Sequence, residues 1–360
     1  MKCFDIYKNK KVFLTGHTGF KGSWLALWLK NLGAEICGYS LAPDTEPSLF
    51  NILNLDKKIE KHIIGDIRNY ENLKQAISSF NPDIVFHLAA QPIVRISYNN
   101  PLETYQTNVM GVVNLLEAAR MLGNIKAIIN VTTDKCYHNK EENYAYKETD
   151  PMGGYDPYSN SKACSELVTS SYRNSFFNNS EYGKKHNTLL ASARAGNVIG
   201  GGDYSSDRLI PDFVKAVHSG KEIVLRNPKA VRPWQFVLEP LSGYLLLGAK
   251  LLAKEKTFAS AYNFGPYENS IITVESVVKE AARFFGKGGY AIDKIKHPHE
   301  ANLLQLNIEK AEKELKWKPV YAVTQAINET MSWYKAYYDN EDMARFSNKQ
   351  ISEYAERVNF

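Results

Sequence analysis

The chain has 360 residues, of which 44% are hydrophobic and 23% are charged, and its formal net charge is +5. This composition excludes intrinsic disorder, collagen and coiled coil as the main state, and the length predicts two domains or one large α/β unit with an attached lobe. Because the small positive excess is spread along the chain, we expect no nucleic-acid partner and no membrane-binding patch.

Short apolar runs with the two-sided pattern of buried parallel strands recur through the first half of the chain. Helical patterns lie between them, and one of these runs from Tyr158 to about Phe176. Strands that alternate with helices predict βαβ units, so the expected fold class is α/β with a doubly wound parallel Rossmann sheet. The predicted strands cover residues 12–15, 35–39, 62–64, 84–88, 128–131 and 189–193.

The alternation loosens after about residue 195, where the loops are rich in Gly, Pro and Asp. An apolar helix over 241–254 is expected to return to the Rossmann sheet. Smaller elements follow, namely a strand near 262–264, helices near 274–285 and 311–316, and a final helix near 324–338. We therefore predict a Rossmann domain at 1–194 plus roughly 233–257, and a smaller, discontinuous α/β substrate-binding lobe at 195–232 and 258–360.

The N-terminal segment and the cysteines indicate a cellular compartment. The N-terminal segment has neither the long apolar run nor the small-residue cleavage site of a secretory signal. The four cysteines are scattered and form no C-x-x-C pair, a pattern that favours neither a disulfide framework nor a metal site. We therefore expect a cytoplasmic protein without a bound metal.

Three glycines follow the first strand directly, at Gly16, Gly19 and Gly22. In a dinucleotide-binding turn, the first glycine permits the tight turn, the second lets the backbone approach a pyrophosphate, and the third permits close packing of helix on strand. The helix that begins here offers free N–H groups and the positive end of its dipole. This loop, at the first βα turn of the fold, predicts dinucleotide binding.

The adenosine end of the predicted dinucleotide site is less specific. Ser40 stands roughly where such folds carry the acidic residue that binds the ribose 2′-hydroxyl, so the residues themselves leave NAD and NADP open. Asp66, which follows the third strand, is expected either to bind the adenine amino group or to cap the next helix.

Tyr158 and Lys162 have the YxxxK spacing, which places both side chains on one face of a helix. A lysine ammonium there is expected to lower the tyrosine pKa, so that the tyrosine can act as a general acid or base. The same spacing occurs at Tyr7, Tyr70 and Tyr290, but only Tyr158 opens a helix after the fifth strand.

The fifth strand ends in Thr133, Asp134 and Lys135. Ligands of open α/β sheets bind at the carboxyl ends of the strands, so this row of hydroxyl, acid and amine indicates a reaction site. A capped loop is the structural alternative. His87, near the end of the fourth strand, is expected to pack or to form a hydrogen bond within the sheet rather than to bind metal.

Together, these features resemble the extended short-chain dehydrogenases/reductases and, within them, the nucleotide-sugar 4,6-dehydratases. The resemblance covers most of the chain and is carried by the glycine loop, the HLAAQ run at 87–91, the Thr133 region and YxxxK. Lys135 stands where the dehydratases of dTDP-glucose have Glu. This lysine and the runs at 16–25 and 232–235 are similar to the branch that acts on CDP-glucose.

The resemblance implies an NAD cofactor, CDP-glucose as substrate, a 4-keto-6-deoxy sugar as product, a role in deoxysugar (O-antigen and lipopolysaccharide) biosynthesis, and a homodimer or homotetramer. Tyr158 would take the proton from the sugar O4, and Thr133 would hydrogen-bond O4. Lys135 would remove the C5 proton, directly or through its neighbour, while Asp134 protonates the leaving C6 hydroxyl. The implied cofactor contacts are Gly16, Gly19, Phe20, Lys21, Gly22, Ser40, Asp66, Ile67, Leu88, Ala89, Ala90, Val131, Tyr158 and Lys162.

The expected substrate contacts lie after the fourth strand and in the loops that follow the sixth. Gln91 and Arg95 are expected to touch the hexose or the cofactor. Asn197, Arg208 and Arg232 are expected to bind the diphosphate, although each could instead form a surface ion pair. Two other functions remain open, namely a nucleotide-sugar 4-epimerase, which would not need Asp134 and Lys135, and a non-catalytic NAD-binding regulatory protein.

Overall fold

The structure is a computed structural model that describes residues 2–293 and 303–358. The strands, in chain order, are β1 (Lys11–Thr15), β2 (Glu35–Ser40), β3 (Lys61–Ile64), β4 (Ile84–His87), β5 (Ala127–Thr133), β6 (Ala145–Tyr146), β7 (Leu189–Ala195), β8 (Asn197–Ile199), β9 (Ile223–Leu225), β10 (Val231–Phe236), β11 (Ala261–Phe264), β12 (Ile271–Thr273), β13 (Tyr290–Ile292) and β14 (Gln305–Leu306).

The helices, in chain order, are α1 (Phe20–Asn31), α2 (Leu49–Ile52), α3 (Tyr70–Phe80), α4 (Val94–Asn99), α5 (Pro101–Tyr105), α6 (Gly111–Leu122), α7 (Pro157–Ser175), α8 (Leu209–His218), α9 (Leu238–Leu252), α10 (Val274–Phe285), α11 (Val323–Tyr338) and α12 (Met343–Arg357). Among the described residues, no helix has both the length and the apolar character needed to cross a bilayer.

The central sheet has seven strands in the order β11-β7-β5-β4-β1-β2-β3, and every neighbouring pair is parallel. Successive residues of one strand face opposite cores, as a sheet covered on both sides requires. In β1, Leu14 belongs to the larger core cluster and Phe13 to the smaller one. The six strands predicted in the first half, and the doubly wound α/β fold, are confirmed.

The strand order reverses direction at β1, between β4 on one side and β2 on the other. In open α/β sheets, a ligand binds outside the carboxyl ends of the strands at such a switch point. The glycine loop follows β1, and the Thr133–Asp134–Lys135 row follows β5, so both lie at that edge of the sheet.

Helix α9 returns to the sheet after the first part of the second lobe and packs against β5 and β7. The Tyr7 hydroxyl donates a hydrogen bond to its Leu245 carbonyl oxygen at 2.7 Å. Strand β11 lies beyond the predicted boundary at 258, yet it is an edge strand of the large sheet. The predicted lobe also includes residues 294–302 and 359–360, which lie outside the described residues.

The second lobe contains a three-stranded sheet, β12-β10-β8, and the two-stranded pairs β13-β9 and β14-β6. The helix expected near 311–316 is present as a π-helical turn, Ala311–Leu315. One sequence prediction was wrong in this half, because the helix expected to be last is followed by α12. Helix α12 is mostly polar, so its apolar stripe is weak, but its buried Tyr354 hydroxyl donates a hydrogen bond to Glu239 at 2.7 Å.

Candidate active site

The glycine loop has no room for side chains. A Cβ atom on Gly22 would lie 2.0 Å from the Gly16 carbonyl oxygen, and one on Gly16 would lie 2.7 Å from the backbone nitrogen of Ala89. Gly16 also has a φ of +75°, which favours glycine. Gly19 precedes α1 without any side-chain cap, so the N–H groups of the first turn stay available. This geometry forms a cradle for a phosphate group.

Hydrogen bonds hold the run after β4 against this cradle. The Thr15 hydroxyl bonds His87 Nδ1 at 2.7 Å and accepts from the backbone N–H groups of Leu88 and Ala89 at 3.2 Å each. His87 is fully inside the sheet, and burial lowers its pKa to about 3. The prediction that His87 forms a hydrogen bond within the sheet is confirmed.

The predicted adenosine contacts follow β2 and β3. The buried Ser40 hydroxyl bonds Thr18 Oγ1 in the glycine loop at 2.6 Å. Asp66 accepts hydrogen bonds from the backbone and side chain of Arg68, both at 2.8 Å. Asn69, and not Asp66, caps α3. The capping alternative for Asp66 is therefore wrong, and its contact with adenine stays a prediction.

The remaining predicted cofactor contacts lie around the same edge of the sheet. Ile67 and Val131 are buried, and Ile67 packs against Gly111. Leu88, Ala89 and Ala90 are half-buried directly after β4. Phe20 lies against Gly200, where an added Cβ would be 3.0 Å from its ring.

The five predicted catalytic side chains come together where β5 meets the start of α7. Helix α7 begins with Pro157, and Tyr158 and Lys162 face the turn that follows β5. The Tyr158 hydroxyl is hydrogen-bonded to Thr133. The Thr133 hydroxyl donates to Asp134 Oδ1 at 2.9 Å, and Lys135 Nζ lies 4.0 Å from the same oxygen.

Burial controls the protonation of the two YxxxK residues. Burial raises the pKa of Tyr158 to about 12, although the hydrogen bond with Thr133 opposes this shift. Burial also lowers the pKa of Lys162 to about 8, against the opposing charges of Glu166 and Cys136. Desolvation of the phenolate thus outweighs the nearby positive charge of Arg208 in this structure. The expected lowering of the Tyr158 pKa by Lys162 stays a prediction.

A buried ion pair stabilises the turn that carries Thr133, Asp134 and Lys135. Glu166, one helical turn after Lys162, bonds Arg194 Nη2 at 2.8 Å, and both side chains are almost completely buried. The same carboxylate accepts from the hydroxyls of Thr132 at 2.5 Å and Ser192 at 2.8 Å. This network ties α7 to β5 and β7 directly beside Thr133, so it fixes the position of the catalytic side chains.

A cavity of about 520 Å³ opens from this end of the sheet into the second lobe. Thr133, Lys135 and Tyr158 line one end of it. The structure also brings four of the five predicted substrate-binding residues to its wall, namely Arg95, Asn197, Arg208 and Arg232. The predicted binding site therefore forms one continuous cavity with the catalytic turn.

The fifth predicted substrate contact, Gln91, has its amide bonded within its own loop. It donates to Thr104 Oγ1 at 2.9 Å and accepts from the backbone N–H of Ile93 at 2.6 Å. These bonds commit both ends of its amide to shaping the loop, so its contact with a ligand stays a prediction. Lys21, predicted to contact the cofactor, lines the cavity, and burial lowers its pKa to about 7. Its contact with the cofactor stays a prediction.

The model of the family described as GDP-mannose 4,6 dehydratase matches residues 13–330 of this chain. The chain belongs to this dehydratase family. It is 50% identical over 351 residues to the CDP-glucose 4,6-dehydratase of Salmonella typhimurium, and the match covers 97% of each protein.

Two solved structures show the fold that the dehydratase family shares with its neighbours. The UDP-glucose 4-epimerase of Thermus thermophilus, in complex with NAD, is 25% identical, with a TM-score of 0.76 over 90% of this chain and 99% of that one. DesIV, a dTDP-glucose 4,6-dehydratase of Streptomyces venezuelae with NAD bound, is 22% identical, with a TM-score of 0.77 over 92% and 98%.

Sequence reasoning missed several residues that line the cavity of this family member. Gly196 leaves room for Asp134, because an added Cβ would lie 2.9 Å from its Oδ2 atom. Asp207, Asp212 and Arg226 come from the loops and short elements of the second lobe. No motif or periodicity marks these three residues in the sequence, since the lobe assembles them from separate segments.

Proposed function

We propose that the chain catalyses the NAD-dependent 4,6-dehydration of CDP-glucose to CDP-4-keto-6-deoxy-glucose, in the biosynthesis of deoxysugars of O-antigen and lipopolysaccharide. The observation that carries the proposal is the grouping of Tyr158, Lys162, Thr133, Asp134 and Lys135 at one end of a cavity large enough for a nucleotide sugar. The 50% identity to a CDP-glucose 4,6-dehydratase supports the choice of substrate.

The described residues fit a dinucleotide cofactor. Gly16, Gly19 and Gly22 would hold its pyrophosphate, since any side chain on Gly16 or Gly22 would fill the cradle. Ser40 would bind the adenosine ribose, and Lys162, one helical turn after Tyr158, would bind the nicotinamide end. The cofactor would supply the hydride acceptor for oxidation at the sugar C4 and the hydride for C6, while Lys135 would return its proton to C5.

Tyr158 and Thr133 handle the proton of the sugar O4. Tyr158 takes this proton as the C4 carbonyl forms, and its hydrogen bond with Thr133 holds the phenol at the point of reaction. The Tyr158 pKa of about 12 means that the phenol keeps its own proton at neutral pH, so a nearby positive charge is needed to make it a base. Lys162 supplies such a charge when protonated.

Asp134 and Lys135 perform the elimination of water. The C4 carbonyl acidifies the C5 proton, Lys135 removes it, and the C6–oxygen bond breaks as Asp134 gives a proton to the departing hydroxyl. The products of this step are a C5–C6 double bond and water. The two groups lie 4.0 Å apart, so they can act on adjacent carbons of one sugar. Gly196 keeps the space beside Asp134 open.

The diphosphate is held by cationic and amide groups of the cavity wall. Arg208 and Arg232 offer guanidinium N–H donors, and Asn197 offers an amide. Arg95 lines the wall nearer to α4, and Gln91 shapes the loop before it. The guanidinium groups of Arg208 and Arg232 would attract an anionic diphosphate.

We also propose a cytoplasmic location and a homodimeric or homotetrameric assembly. The four cysteines are free thiols, which supports a reducing cytoplasm. A homodimer or homotetramer is supported by apolar side chains exposed on the helices after β4 and β5, including Met110, Met121 and Leu167.

The test is to incubate the purified chain with NAD and, in turn, CDP-, dTDP-, UDP- and GDP-glucose, and to identify the products by mass spectrometry and NMR. We expect CDP-glucose to lose the mass of one water and to gain a C4 carbonyl and a C6 methyl group. A product of unchanged mass with inverted C4 would indicate a 4-epimerase instead. No product from any substrate, together with NAD binding, would favour the regulatory alternative.

A further inference from the structure

The side of the cavity formed by α8, β9 and the loops beside them, its far end, carries a carboxylate that the mechanism does not use. Asp212 lies in the first turn of α8, is half-buried and lines the cavity wall. Within the described residues its carboxylate accepts no hydrogen bond and forms no ion pair. This carboxylate can therefore accept a hydrogen bond from a ligand in the cavity.

The four other carboxylates of the cavity wall, Asp156, Asp203, Asp207 and Asp293, already have partners. Asp156 caps α7. Asp203 pairs with Arg208 at 3.2 Å, and Asp207 pairs with Arg95 at 2.8 Å and with Arg226 at 3.2 Å. These groups shape the wall and position the cationic side chains. Asp212 is therefore the carboxylate of this wall that is best placed to accept a hydrogen bond from a ligand.

The surroundings of Asp212 suit a planar heterocycle. Helix α8 packs against β9, whose Ile223 and Leu225 line the same wall with Val274. These apolar side chains can cover the faces of a ring. Arg226 and Asn227, which directly follow β9, also line the cavity and add N–H donors beside the carboxylate.

We propose that Asp212 accepts a hydrogen bond from the 4-amino group of cytosine, and that this end of the cavity thereby selects cytosine over uracil and thymine. The inference rests on the proposed function, because it assumes that the nucleotide of the sugar donor occupies the far end. Cytosine presents an amino donor at position 4, which a carboxylate can accept. Uracil and thymine present a carbonyl oxygen at position 4, which would face the carboxylate.

The charges around Asp212 agree with this role at neutral pH. Burial, together with the neighbouring Asp207 and Asp203, raises the pKa of Asp212 to about 6, although Arg226 and Lys215 oppose this shift. The carboxylate is therefore ionised and an acceptor above about pH 6. Below that pH it becomes a protonated acid, whose O–H can donate to the carbonyl oxygen of uracil, and the preference for cytosine falls.

The test compares wild type with Asp212→Asn on CDP-glucose and UDP-glucose. An asparagine can rotate its amide to accept from cytosine or to donate to uracil. We expect the ratio of kcat/KM values, CDP-glucose over UDP-glucose, to fall about 10- to 100-fold, the range for losing a hydrogen bond to a charged acceptor. Asp339→Asn, an exposed residue after α11, is the matched control and should keep the ratio of the wild type.

Binding of CDP and UDP alone, measured by calorimetry, separates this inference from the proposed function. One outcome is that the wild type dehydrates no nucleotide-linked glucose and yet binds CDP more tightly than UDP in a way that depends on Asp212. That result would refute the proposed dehydratase activity and support the contact between Asp212 and cytosine. If the folded Asp212→Asn protein keeps the wild-type preference for CDP, the base assignment is wrong. Should the variant not fold, the wild type still decides, since its CDP preference must weaken between pH 7.5 and pH 5.

Discussion

The two ends of the cavity are built in opposite ways. At the catalytic end, Asp134 and Tyr158 are 1% and 8% exposed, and the Glu166–Arg194 pair beneath them is equally buried. At the far end, Asp207 pairs with Arg95 of α4 and with Arg226, and the Asp207 and Arg95 side chains are 35% and 42% exposed. The catalytic end therefore rests on buried bonds between strands and a long helix, while the far end rests on solvated ion pairs between α4 and the loops beside α8 and β9.

This difference separates two kinds of requirement. Proton transfer needs groups held within a fraction of an ångström, which packed elements provide. Selecting a nucleotide needs only a few correctly placed polar groups, which loops can provide and exchange. We therefore expect substitutions at the catalytic end to abolish turnover or stability, and substitutions at the far end to change which substrate is used.

The largest expected effect is on turnover in Tyr158→Phe. Removing the phenol hydroxyl deletes the general base, so kcat should fall about 10⁴-fold, at the upper limit for acid–base catalysis. Stopped-flow and steady-state assays with CDP-glucose measure this loss. Tyr70→Phe is the matched control, because Tyr70 and Lys74 repeat the YxxxK spacing on α3, away from the cavity. Equal losses in both variants would contradict the assignment.

Lys135→Ala should separate oxidation at C4 from removal of the C5 proton. Oxidation at C4 should continue, but exchange of the C5 proton with solvent should slow by about 10²- to 10³-fold, since the base that removes it is gone. Proton NMR in D₂O follows the exchange, and the absorbance of reduced cofactor follows oxidation. A variant that exchanges C5 at the wild-type rate would show that another group is the base.

A pair of stability measurements compares the two ends directly. Glu166→Gln should lower the free energy of unfolding by about 3–5 kcal/mol, because it leaves Arg194 charged and buried without its partner. Asp207→Asn should change it by less than about 1 kcal/mol, as expected for exposed pairs. Asparagine also suits the φ of 60° at this position. Denaturant titrations that gave similar losses would refute the contrast between the ends.

A smaller effect should appear in the pH profile. Lys162 loses its proton as the pH rises through about 8, so kcat/KM should fall by up to about tenfold per pH unit above that value. The folded pKa lies below the ordinary lysine value of 10.5, so the unfolded chain binds this proton more tightly. The Lys162 contribution to the free energy of unfolding should therefore rise between pH 8 and 10.5. Lys162→Arg, which stays charged, should lack this alkaline limb.

The Rossmann half could be predicted because its chemistry follows from chain order. Parallel strands place Gly16, Thr133 and Tyr158 at one edge of the sheet, so a strand-and-helix pattern is enough to bring them together. The protonation states of the catalytic side chains in this half could not be predicted. The pKa of Tyr158 depends on how deeply β5 and α7 bury it, and a sequence pattern does not contain that depth.

The second half was predicted less well for a different physical reason. Asp212 and Arg226 reach the same cavity from a helix and from the end of a short strand, and only the tertiary fold makes them neighbours. Helix α12 escaped prediction because it is anchored by individual contacts such as that of Tyr354, rather than by a continuous apolar stripe.

The docking of α12 also has a consequence for biosynthesis. The Asn348 side chain bonds Asn31 at 2.9 Å across 317 positions of sequence, and the Tyr354 ring packs edge-on against Trp28 at 5.8 Å. Helix α1 leaves the ribosome before α12, which covers part of it. Helix α1 therefore stays partly uncovered during translation until the 15 residues of α12 have been made.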